Sequence, residues 1–353
     1  MGNYNNIIIT ISGDPVSGKG TISRELAQLY KNQGYKVHIV SMGDLFRKVA
    51  IREYKKKFPE IENPSIEQIQ KDPNFSEELK NIDEKIDLEM LPELGKEINS
   101  ENRPKEVYII DSRTAPFFIG QPHLAVRATV DSQTAGERVF NDANRGKEDQ
   151  YVSIGAAIEA TASRRGEEIK RFKEQYGKDI TNLDHFDMVI ETTLTNPKEI
   201  AETIKICEEL KRNGLKFAKT WASPELFFPT QRIQDTFSTA AFTAGLTPKQ
   251  LSESIKEQGI YPDRPIASKR VANTSYQFVV DGHHRIVASI MAGKTLIPYE
   301  AKETLDKLAV SSRNDLSKIY DHEEAIIRPN GERFRYKTYP IIDERVQGLD
   351  ICY

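Results

Sequence analysis

The sequence predicts an α/β protein with two domains: a parallel-sheet domain over residues 1–214 and a smaller α+β domain over residues 215–353. Three observations lead to this prediction. The chain has 353 residues, and domains of about 150 residues give roughly two of them. Up to Gly214, short apolar runs alternate with long, charged helical patterns, as in parallel α/β folds. Beyond Gly214 the chain becomes aromatic and proline-rich, and mixed strand and helix patterns follow.

Charge and composition narrow the classes of function. The chain has 50 Lys and Arg against 53 Asp and Glu, and the net charge of −3 argues against a surface that grips nucleic-acid backbone. Its apolar runs are far shorter than the roughly 18 residues that span a bilayer. Cys207 and Cys352 lie far apart, so neither a disulfide framework nor a zinc site is expected. No signal-peptide pattern is visible, and Asn6 breaks a myristoylation pattern that begins at Gly2. We therefore expect a cytoplasmic protein with no membrane or nucleic-acid partner; the oligomeric state is open.

The elements follow in order along the chain. Apolar periodicity predicts strands at Ile7–Ile11, Val37–Val40, Val107–Ile110, Ala125–Val130 and Met188–Ile190. Helical patterns cover Thr21–Asn32, Ile158–Gln175 and Pro197–Arg212. The last of these begins with Pro after Asn196 and ends at Asn213-Gly214, which are typical helix boundaries. The charged stretch Lys55–Asn102 contains two further helical patterns, Pro64–Gln70 and Glu77–Leu91.

A glycine-bearing loop follows the first predicted strand. The loop has Gly13 and Gly18 at the Gly-x4-Gly-Lys spacing, then Lys19, Gly20 and Thr21, and a helix comes next. Such glycines let backbone N–H groups wrap a phosphate, the helix N-terminus contributes about half a positive charge, and the lysine reaches the outer phosphates. Ser17, within the loop, is a further candidate phosphate contact. The residues predicted to bind ATP are Gly13, Ser17, Gly18, Lys19, Gly20 and Thr21. The alternative is a turn that only closes a strand–helix unit.

These residues resemble the loop of the nucleoside monophosphate kinases, the adenylate and cytidylate kinase group, which carries Gly-Lys-Gly-Thr. Ser41–Arg47 resembles the Ser-x-Gly-Asp-x-Phe-Arg segment of short, archaeal-like cytidylate kinases. Asp111-Ser112-Arg113 resembles the acidic residue and arginine that end a strand at the acceptor site. The run from Arg164 to Arg171 resembles the mobile lid, although Arg165 and Glu168 stand where aspartates are common. The resemblance covers about residues 5–212.

The resemblance implies Mg²⁺-dependent transfer of phosphate from ATP to a nucleoside monophosphate, with CMP or dCMP favoured. Phosphoryl transfer brings two polyanions together, so cations must position and neutralise them. Asp44, Arg47, Asp111 and Arg113 are implied to bind the acceptor, and Lys19, Arg113, Arg165 and Arg171 are implied to be catalytic. Asp111 is the candidate to orient Mg²⁺. For Arg127, Arg138 and Arg145, a role in phosphate binding and a position on a solvated helix face are equal alternatives.

The second predicted domain has its own candidate anion site. A helical pattern at Thr247–Gln258 precedes strand-like runs Pro265–Arg270 and Tyr276–Val280 and a helix at Arg285–Ala292. The predicted phosphate-site residues at this strand-to-helix junction are Asp281, Gly282, His283, His284 and Arg285. A metal at the two histidines is the less favoured alternative, since no third ligand has suitable spacing.

This pattern resembles the ParB/sulfiredoxin-like superfamily, including its free-serine-kinase branch, over about residues 216–300. Phe228–Arg232 is similar to the entry segment of that superfamily, and Asp-Gly-His-His-Arg stands at its phosphate motif. His283 replaces the reactive cysteine of sulfiredoxins, so sulfinic-acid repair is disfavoured. The resemblance implies nucleotide binding, with Asp281 or Glu225 as a base toward a small hydroxyl metabolite; a degenerate sensor or dimerisation module is the alternative.

The last predicted feature is a hairpin around Asn330-Gly331, a favoured two-residue turn. Asp321–Glu324 is read as a solvated charge run rather than a metal site. Three functions therefore remain open: a nucleoside monophosphate kinase, a kinase of small hydroxyl compounds that uses residues 281–285, and a nucleotide-gated binding protein.

Overall fold

The computed structural model describes residues 6–100, 105–120, 122–142, 151–228, 246–271, 275–305, 308–309, 326–334 and 351–352. The chain packs as two compact units. Unit 1 comprises Met1–Asp14, Gly18–Ala128 and Arg165–Asp187, and unit 2 comprises Pro15–Ser17, Thr129–Arg164 and Met188–Tyr353. These units are groupings by packing; the domain boundary between residues 214 and 215 stays a prediction.

The described strands and helices alternate through most of the chain. The strands are β1 (Asn6–Gly13), β2 (Lys36–Ser41), β3 (Glu106–Asp111), β4 (Leu124–Thr129), β5 (Met188–Glu191), β6 (Thr220–Ala222), β7 (Phe227–Phe228), β8 (Ile266–Val271), β9 (Gln277–Asp281), β10 (Ile297–Leu305), β11 (Leu308–Ala309), β12 (Ile326–Ile327), β13 (Arg333–Phe334) and β14 (Ile351–Cys352). The helices are α1 (Lys19–Asn32), α2 (Met42–Lys57), α3 (Ile66–Lys71), α4 (Ser76–Lys85), α5 (Leu91–Ser100), α6 (Ala115–Phe118), α7 (Ser132–Phe140), α8 (Ile154–Tyr176), α9 (Pro197–Arg212), α10 (Pro248–Gln258) and α11 (His283–Met291).

The sheet of unit 1 has the order β2-β3-β1-β4, with each neighbouring pair parallel. β1 is buried along its whole length, as the run Ile7-Ile8-Ile9 predicts for a central parallel strand. The adjoining core holds buried apolar side chains of α2 to α6 and of the turn before α4, among them Tyr54, Phe75 and Leu91. This core fixes the carboxyl ends of the strands, where ligands of open α/β sheets bind.

The strands of unit 2 have the order β5-β6-β10-β8-β9-β7 and mix parallel with antiparallel pairs. β6 lies between β5, to which it is parallel, and β10, to which it is antiparallel. The core of this unit includes Phe227, Phe278 and Ile286. α9 is joined to the residues after α11, because the Glu199 carboxylate accepts hydrogen bonds of 2.7 Å from both the backbone N–H and the hydroxyl of Thr295.

The predicted α/β fold class is confirmed, and each predicted strand and helix of residues 1–214 is found with small shifts at its ends. Two features differ from the sequence interpretation. The predicted helix Glu77–Leu91 contains a π-helical turn at Ile86–Met90 between α4 and α5. The aromatic stretch after Gly214 contains a strand, β6, that periodicity did not reveal because it has only three residues. The predicted hairpin is confirmed by antiparallel β12 and β13, but its connection is the three residues Pro329–Gly331, between Arg328 and Glu332, rather than a two-residue turn.

None of the helices described here combines the length and the apolar character that a bilayer crossing requires.

Candidate functional site

The carboxyl ends of β1, β2 and β3 meet at one edge of the unit 1 sheet. In the parallel register Asp111 of β3 lies opposite Ile11 of β1 and Ser41 of β2. The glycine-bearing loop leaves β1 at this edge, and α2 begins there directly after Ser41. The topology therefore brings the loop, the Asp44–Arg47 segment and Asp111-Ser112-Arg113 together, as the sequence predicts for them.

Two glycines shape the loop at residues 13–21. Gly13 has a φ of +149°, and a Cβ on it would lie 2.0 Å from the carbonyl oxygen of Ala128. Gly18, with a φ of +83°, caps α1 in the left-handed region, and a Cβ there would meet no described atom within 4 Å. Gly13 therefore allows close packing on β4, whereas Gly18 allows a turn beside open space. Within the described part of the chain, the buried Ser17 hydroxyl has no hydrogen-bond partner.

The Lys19 side chain folds back onto the loop. Its Nζ donates hydrogen bonds to the carbonyl oxygens of Asp14, at 2.8 Å, and Gly13, at 3.1 Å. Burial is the largest influence on its pKa and lowers it to about 8, against the opposing charges of Asp111 and Asp14. The ammonium group is thus held at the loop by weak neutral acceptors, which a phosphate oxygen would outcompete.

Asp14 binds two arginines within unit 1. Its Oδ1 lies 2.8 Å from Nη2 of Arg127 on β4, and its Oδ2 lies 3.2 Å from Nη2 of Arg165 on α8. Arg127 is 4% exposed, and burial lowers the pKa of its guanidinium. Of the two alternatives for Arg127, the solvated helix face is therefore excluded: the residue lies on a buried strand, where a charge requires a partner.

Three charged residues of α8, spaced three apart, face partners within unit 1. Arg165 contacts Asp14, Glu168 lies 2.9 Å from Arg113, and Arg171 lies 2.9 Å from Asp83. Residues three apart share a helix face, so one face of α8 carries all three ion pairs. Each arginine predicted to be catalytic is thus held by a carboxylate.

Asp83 and Asp87 are two acids that the sequence interpretation missed. Burial is the main cause that raises the pKa of Asp83, to about 6, and also raises that of Asp87. The Thr114 hydroxyl donates a hydrogen bond to Asp87, which opposes the rise in the pKa of this carboxyl. Their i,i+4 spacing within a charged helical pattern was the available signal, but many solvated helices show the same spacing.

The predicted acceptor residues of α2 form a pair at its first turn. Ser41 accepts a hydrogen bond from the backbone N–H of Asp44 and so caps the helix. The side chains of Asp44 and Arg47 are bonded to each other, and this bond is the main reason that the pKa of Asp44 is lowered. Both side chains are more than half exposed and influence the pKa of Asp111 electrostatically.

Asp111 is the predicted magnesium ligand. Burial raises the pKa of its carboxyl, while Lys19 and Arg113 oppose that shift. Its Oδ2 would lie 3.8 Å from a Cβ built on Gly20, so the carboxylate borders the start of α1. One oxygen ligand beside a phosphate loop fits Mg²⁺, which commonly takes one or two carboxylates together with substrate phosphates and waters. The described residues contain no group of three or more acidic, His or Cys side chains placed to hold a metal on their own.

Arg138 of α7 binds carbonyls within unit 2. It donates to the Thr192 oxygen at 2.7 Å and the Val16 oxygen at 3.2 Å, and it is partly buried. The alternative of a solvated helix face is therefore excluded for Arg138 as well. Arg145 lies outside the described residues.

In the C-terminal half, β9 ends at Asp281 and α11 begins at His283 after Gly282, which is left-handed with a φ of +101°. The strand–glycine–helix junction predicted there is confirmed. Arg285 donates to the Arg264 carbonyl at 2.7 Å and lies 3.5 Å from Asp281. Burial is the main cause that lowers the pKa of His283, to about 4, and it also lowers that of His284. Both shifts favour the neutral imidazoles, which leaves Arg285 as the cation among the predicted phosphate-site residues.

Glu225, named as a possible base, is bound to Arg328 at 2.7 Å. Residues 229–232 of the entry segment and the charge run Asp321–Glu324 lie outside the described residues.

Several known proteins are similar to this chain in sequence or in structure. A family described as "Chromatin associated protein KTI12" matches residues 7–71. The cytidylate kinase of Sulfurisphaera tokodaii is 30% identical over 200 residues, which cover 56% of this chain and 93% of that protein. The cytidylate kinase of Methanocella arvoryzae is 28% identical over 217 residues, which cover 58% of this chain and 99% of that protein. The shikimate kinase of Bacteroides thetaiotaomicron superposes with a TM-score of 0.34 at 12% identity, covering 58% of this chain and 98% of that one.

The phosphate loop, the parallel sheet and the cytidylate kinase relatives define a kinase-type phosphotransferase of the P-loop class. The left-handed cap at Gly18 and the lysine that follows it are the structural core of that assignment. The chain belongs to the cytidylate kinase family.

Proposed function

We propose that the protein transfers a phosphoryl group from ATP to a nucleoside monophosphate, with CMP or dCMP as the favoured acceptor. The observation that carries the proposal is Lys19, whose ammonium lies on the Asp14 and Gly13 carbonyls at the start of α1. The cytidylate kinases of the family support the choice of acceptor. The ligands are nucleotides, and the proposed setting is the cytoplasm.

The donor phosphates would bind at the loop. Backbone N–H groups around Gly18 and the N-terminus of α1 favour negative charge. Lys19 would exchange its two carbonyl partners for a phosphate oxygen and neutralise the charge that develops there. The Ser17 hydroxyl is a further donor for a phosphate oxygen.

Mg²⁺ would be held by Asp111, and when bound it would neutralise charge on the donor phosphates. Asp111 fits this role because it lies at the carboxyl end of β3, beside Gly20, where Lys19 and Arg113 oppose the rise in its pKa that burial causes.

The acceptor would bind between the start of α2 and the end of β3. Arg113 and Arg47 would hold its phosphate, because a guanidinium can bind two phosphate oxygens at once. Each is now paired with a carboxylate, Glu168 or Asp44, and a phosphate would replace that partner. Arg165 and Arg171 on α8 would then cover the transferring group and exclude water.

The test is a panel of nucleoside monophosphates with ATP and Mg²⁺, followed by ADP release, on the full chain and on Lys19→Ala. We expect CMP or dCMP to support turnover and Lys19→Ala to lower it by roughly 100-fold or more, since a lost charge stabiliser costs about that much. Lys31→Ala, in the last turn of the same helix, is the matched control and should retain the rate. Unchanged turnover in Lys19→Ala would refute the mechanism, and turnover with other monophosphates alone would refute the acceptor.

A second function is proposed for the ParB-like C-terminal half: a phosphate site at Gly282–Arg285 that serves a small hydroxyl metabolite or a nucleotide sensor. Its support is that Gly282 and Gly18 both cap their helices in the left-handed region after a strand. Neutral His283 and His284 would act there by hydrogen bonding, with Arg285 as the cation.

The test uses full-length Lys19→Ala with ATP, ADP or CTP and hydroxylated metabolites. Transfer that survives Lys19→Ala and is lost in Lys19→Ala/Arg285→Gln would support a second kinase site. Nucleotide binding without transfer would favour a sensor. The absence of both transfer and nucleotide binding would refute the site.

A further inference from the structure

An acidic side chain lies inside the loop that would receive a polyanion. Asp14 is the first residue after β1, and its carboxylate repels phosphate. We propose that Asp14 is a positioning residue that holds Arg165 of α8 at the phosphate loop, ready for the donor phosphates. This inference rests on the proposed binding of ATP at the loop.

The Asp14 carboxylate is fixed in place by β4. The Asp14 backbone N–H donates a 3.0 Å hydrogen bond to the Ala128 carbonyl, next to the close approach at Gly13. Arg127, the residue before Ala128, binds Oδ1 at 2.8 Å, and both side chains are at most 4% exposed. Arg127 also lies 5.5 Å over the Phe186 ring. The carboxylate therefore has a defined direction before any ligand arrives.

Arg165 forms an ion pair, without a hydrogen bond, with the other oxygen of that carboxylate. Its Nη2 lies 3.2 Å from Oδ2, and the side chain is 39% exposed, ten times the exposed fraction of Arg127. A guanidinium has five N–H donors, so a contact through Nη2 leaves others for a phosphate. The two arginines thus have different roles: Arg127 orients Asp14, and Asp14 orients Arg165.

Lys19 meets the same residue through its backbone, because Nζ donates to the Asp14 carbonyl at 2.8 Å. Asp14 is therefore contacted by two guanidiniums at its carboxylate and by one ammonium at its backbone carbonyl, so these four groups together carry a net positive charge. This surplus allows a negative side chain within a phosphate site, where an unpaired acid would oppose binding.

The experiment is a double-mutant cycle on the dissociation constant of Mg·ATP, measured by calorimetry on the full chain, with Asp14→Asn, Arg165→Gln and the double variant. We expect Arg165→Gln to weaken ATP binding about tenfold with Asp14 present and less than about threefold in the Asp14→Asn background, because Arg165 is then no longer held in place. Glu93→Gln, an exposed acid on α5, is the control background, in which the cost of Arg165→Gln should stay at its full value.

The proposal would be overturned if Arg165→Gln weakened ATP binding equally in the two backgrounds, or if it weakened ATP binding in neither. Asp14→Asn leaves Arg127 buried beside a neutral amide, so Asp14→Asn/Arg127→Gln replaces it if the single variant does not fold. Asp14→Glu, which restores the charge, should restore the larger cost of Arg165→Gln; a purely structural Asp14 would not give that pattern. Coupling in ATP binding without transfer to CMP would refute the proposed acceptor and leave this inference standing.

Discussion

Arg138 donates a hydrogen bond of 3.2 Å to the carbonyl oxygen of Val16, a residue whose φ is +62°. A β-branched residue in the left-handed region is strained, since its Cβ crowds the following carbonyl. The same guanidinium binds the Thr192 carbonyl at 2.7 Å. Val16 therefore keeps an unfavourable backbone conformation, in a loop segment that contacts Arg138 within unit 2.

Val16→Gly is expected to be more stable than Val16→Ala by about 1 kcal/mol, because only glycine adopts this φ without a Cβ penalty. The measurement is the free energy of unfolding in urea. On α2, where Val49 is helical, the order should be reversed, with Val49→Ala more stable than Val49→Gly by about 1 kcal/mol. The same order at both sites would show that the strain at Val16 has no energetic effect.

The two loop glycines should respond differently to alanine. Gly13→Ala places a Cβ 2.0 Å from backbone and should cost more than about 3 kcal/mol of stability or prevent folding. Gly18→Ala meets open space and should cost about 1 kcal/mol, from its φ alone. Thermal unfolding measures the first effect, and ATP binding by folded Gly18→Ala measures whether that space receives phosphate. Equal stabilities of the two variants would contradict the packing at Gly13.

The pKa of Lys19, lowered to about 8 mainly by burial, predicts a pH dependence of kcat/KM for ATP. The free protein loses the ammonium charge as the pH rises through 8, so kcat/KM should fall about tenfold per pH unit above that value. Asp111 raises this pKa, and Asp111→Asn should therefore move the fall to lower pH. A pH profile that stays flat from 7 to 10 would exclude Lys19 as the cation for ATP.

Buried Glu191 predicts a pH dependence of stability. Burial is the main cause that raises its pKa, to about 7, above the ordinary value of 4.5. The folded state then binds more protons than the unfolded state between these values, so this residue lowers the stability as the pH rises from 4.5 to 7.

Glu191→Gln, which can still accept the hydrogen bond from the Thr193 N–H, should remove that slope. It should be about 1–3 kcal/mol more stable than the wild type at pH 8 and equal to it at pH 4. Urea unfolding at both values is the measurement, with Glu159→Gln on the surface of α8 as control. A Glu191→Gln variant that is less stable at pH 8 would show that the charged carboxylate is favourable.

The strands and helices near the phosphate loop were predictable because their signals are local. The isoleucines of β1, the glycine spacing and Lys19 all lie within 14 residues, and strand, loop and helix are where the sequence predicts them. The Asn196 cap and Pro197 define the start of α9 in the same way.

The ion pairs were not predictable, because their partners are far apart in the chain. Asp14 and Arg127 are separated by 113 residues, and only the pairing of β4 with β1 brings them together. Arg171 and Asp83 are 88 residues apart, and Asp83 lies in a stretch that looked like a solvated helix. A charge pattern identifies which residues are cations and anions but not which of them meet.

The histidines after Gly282 show a second reason why part of the site could not be predicted from the sequence. Their type and spacing indicate an anion site, but burial decides their charge, and burial depends on the packing of α11. β6 was missed because a three-residue strand has too few positions to show a period.

The position of β6 has a practical consequence for expression of partial chains. A polypeptide that stops at Gly214 would lack the neighbour that β5 pairs with through Val189 and Ile190, and it would present a bare, apolar edge to other molecules. A polypeptide that starts at Leu215 would contain β6 and its partner β10 but would lack β5, so one edge of β6 would be unpaired. Fragments cut there are expected to self-associate, so the two proposed sites are better separated by point substitutions within the intact chain.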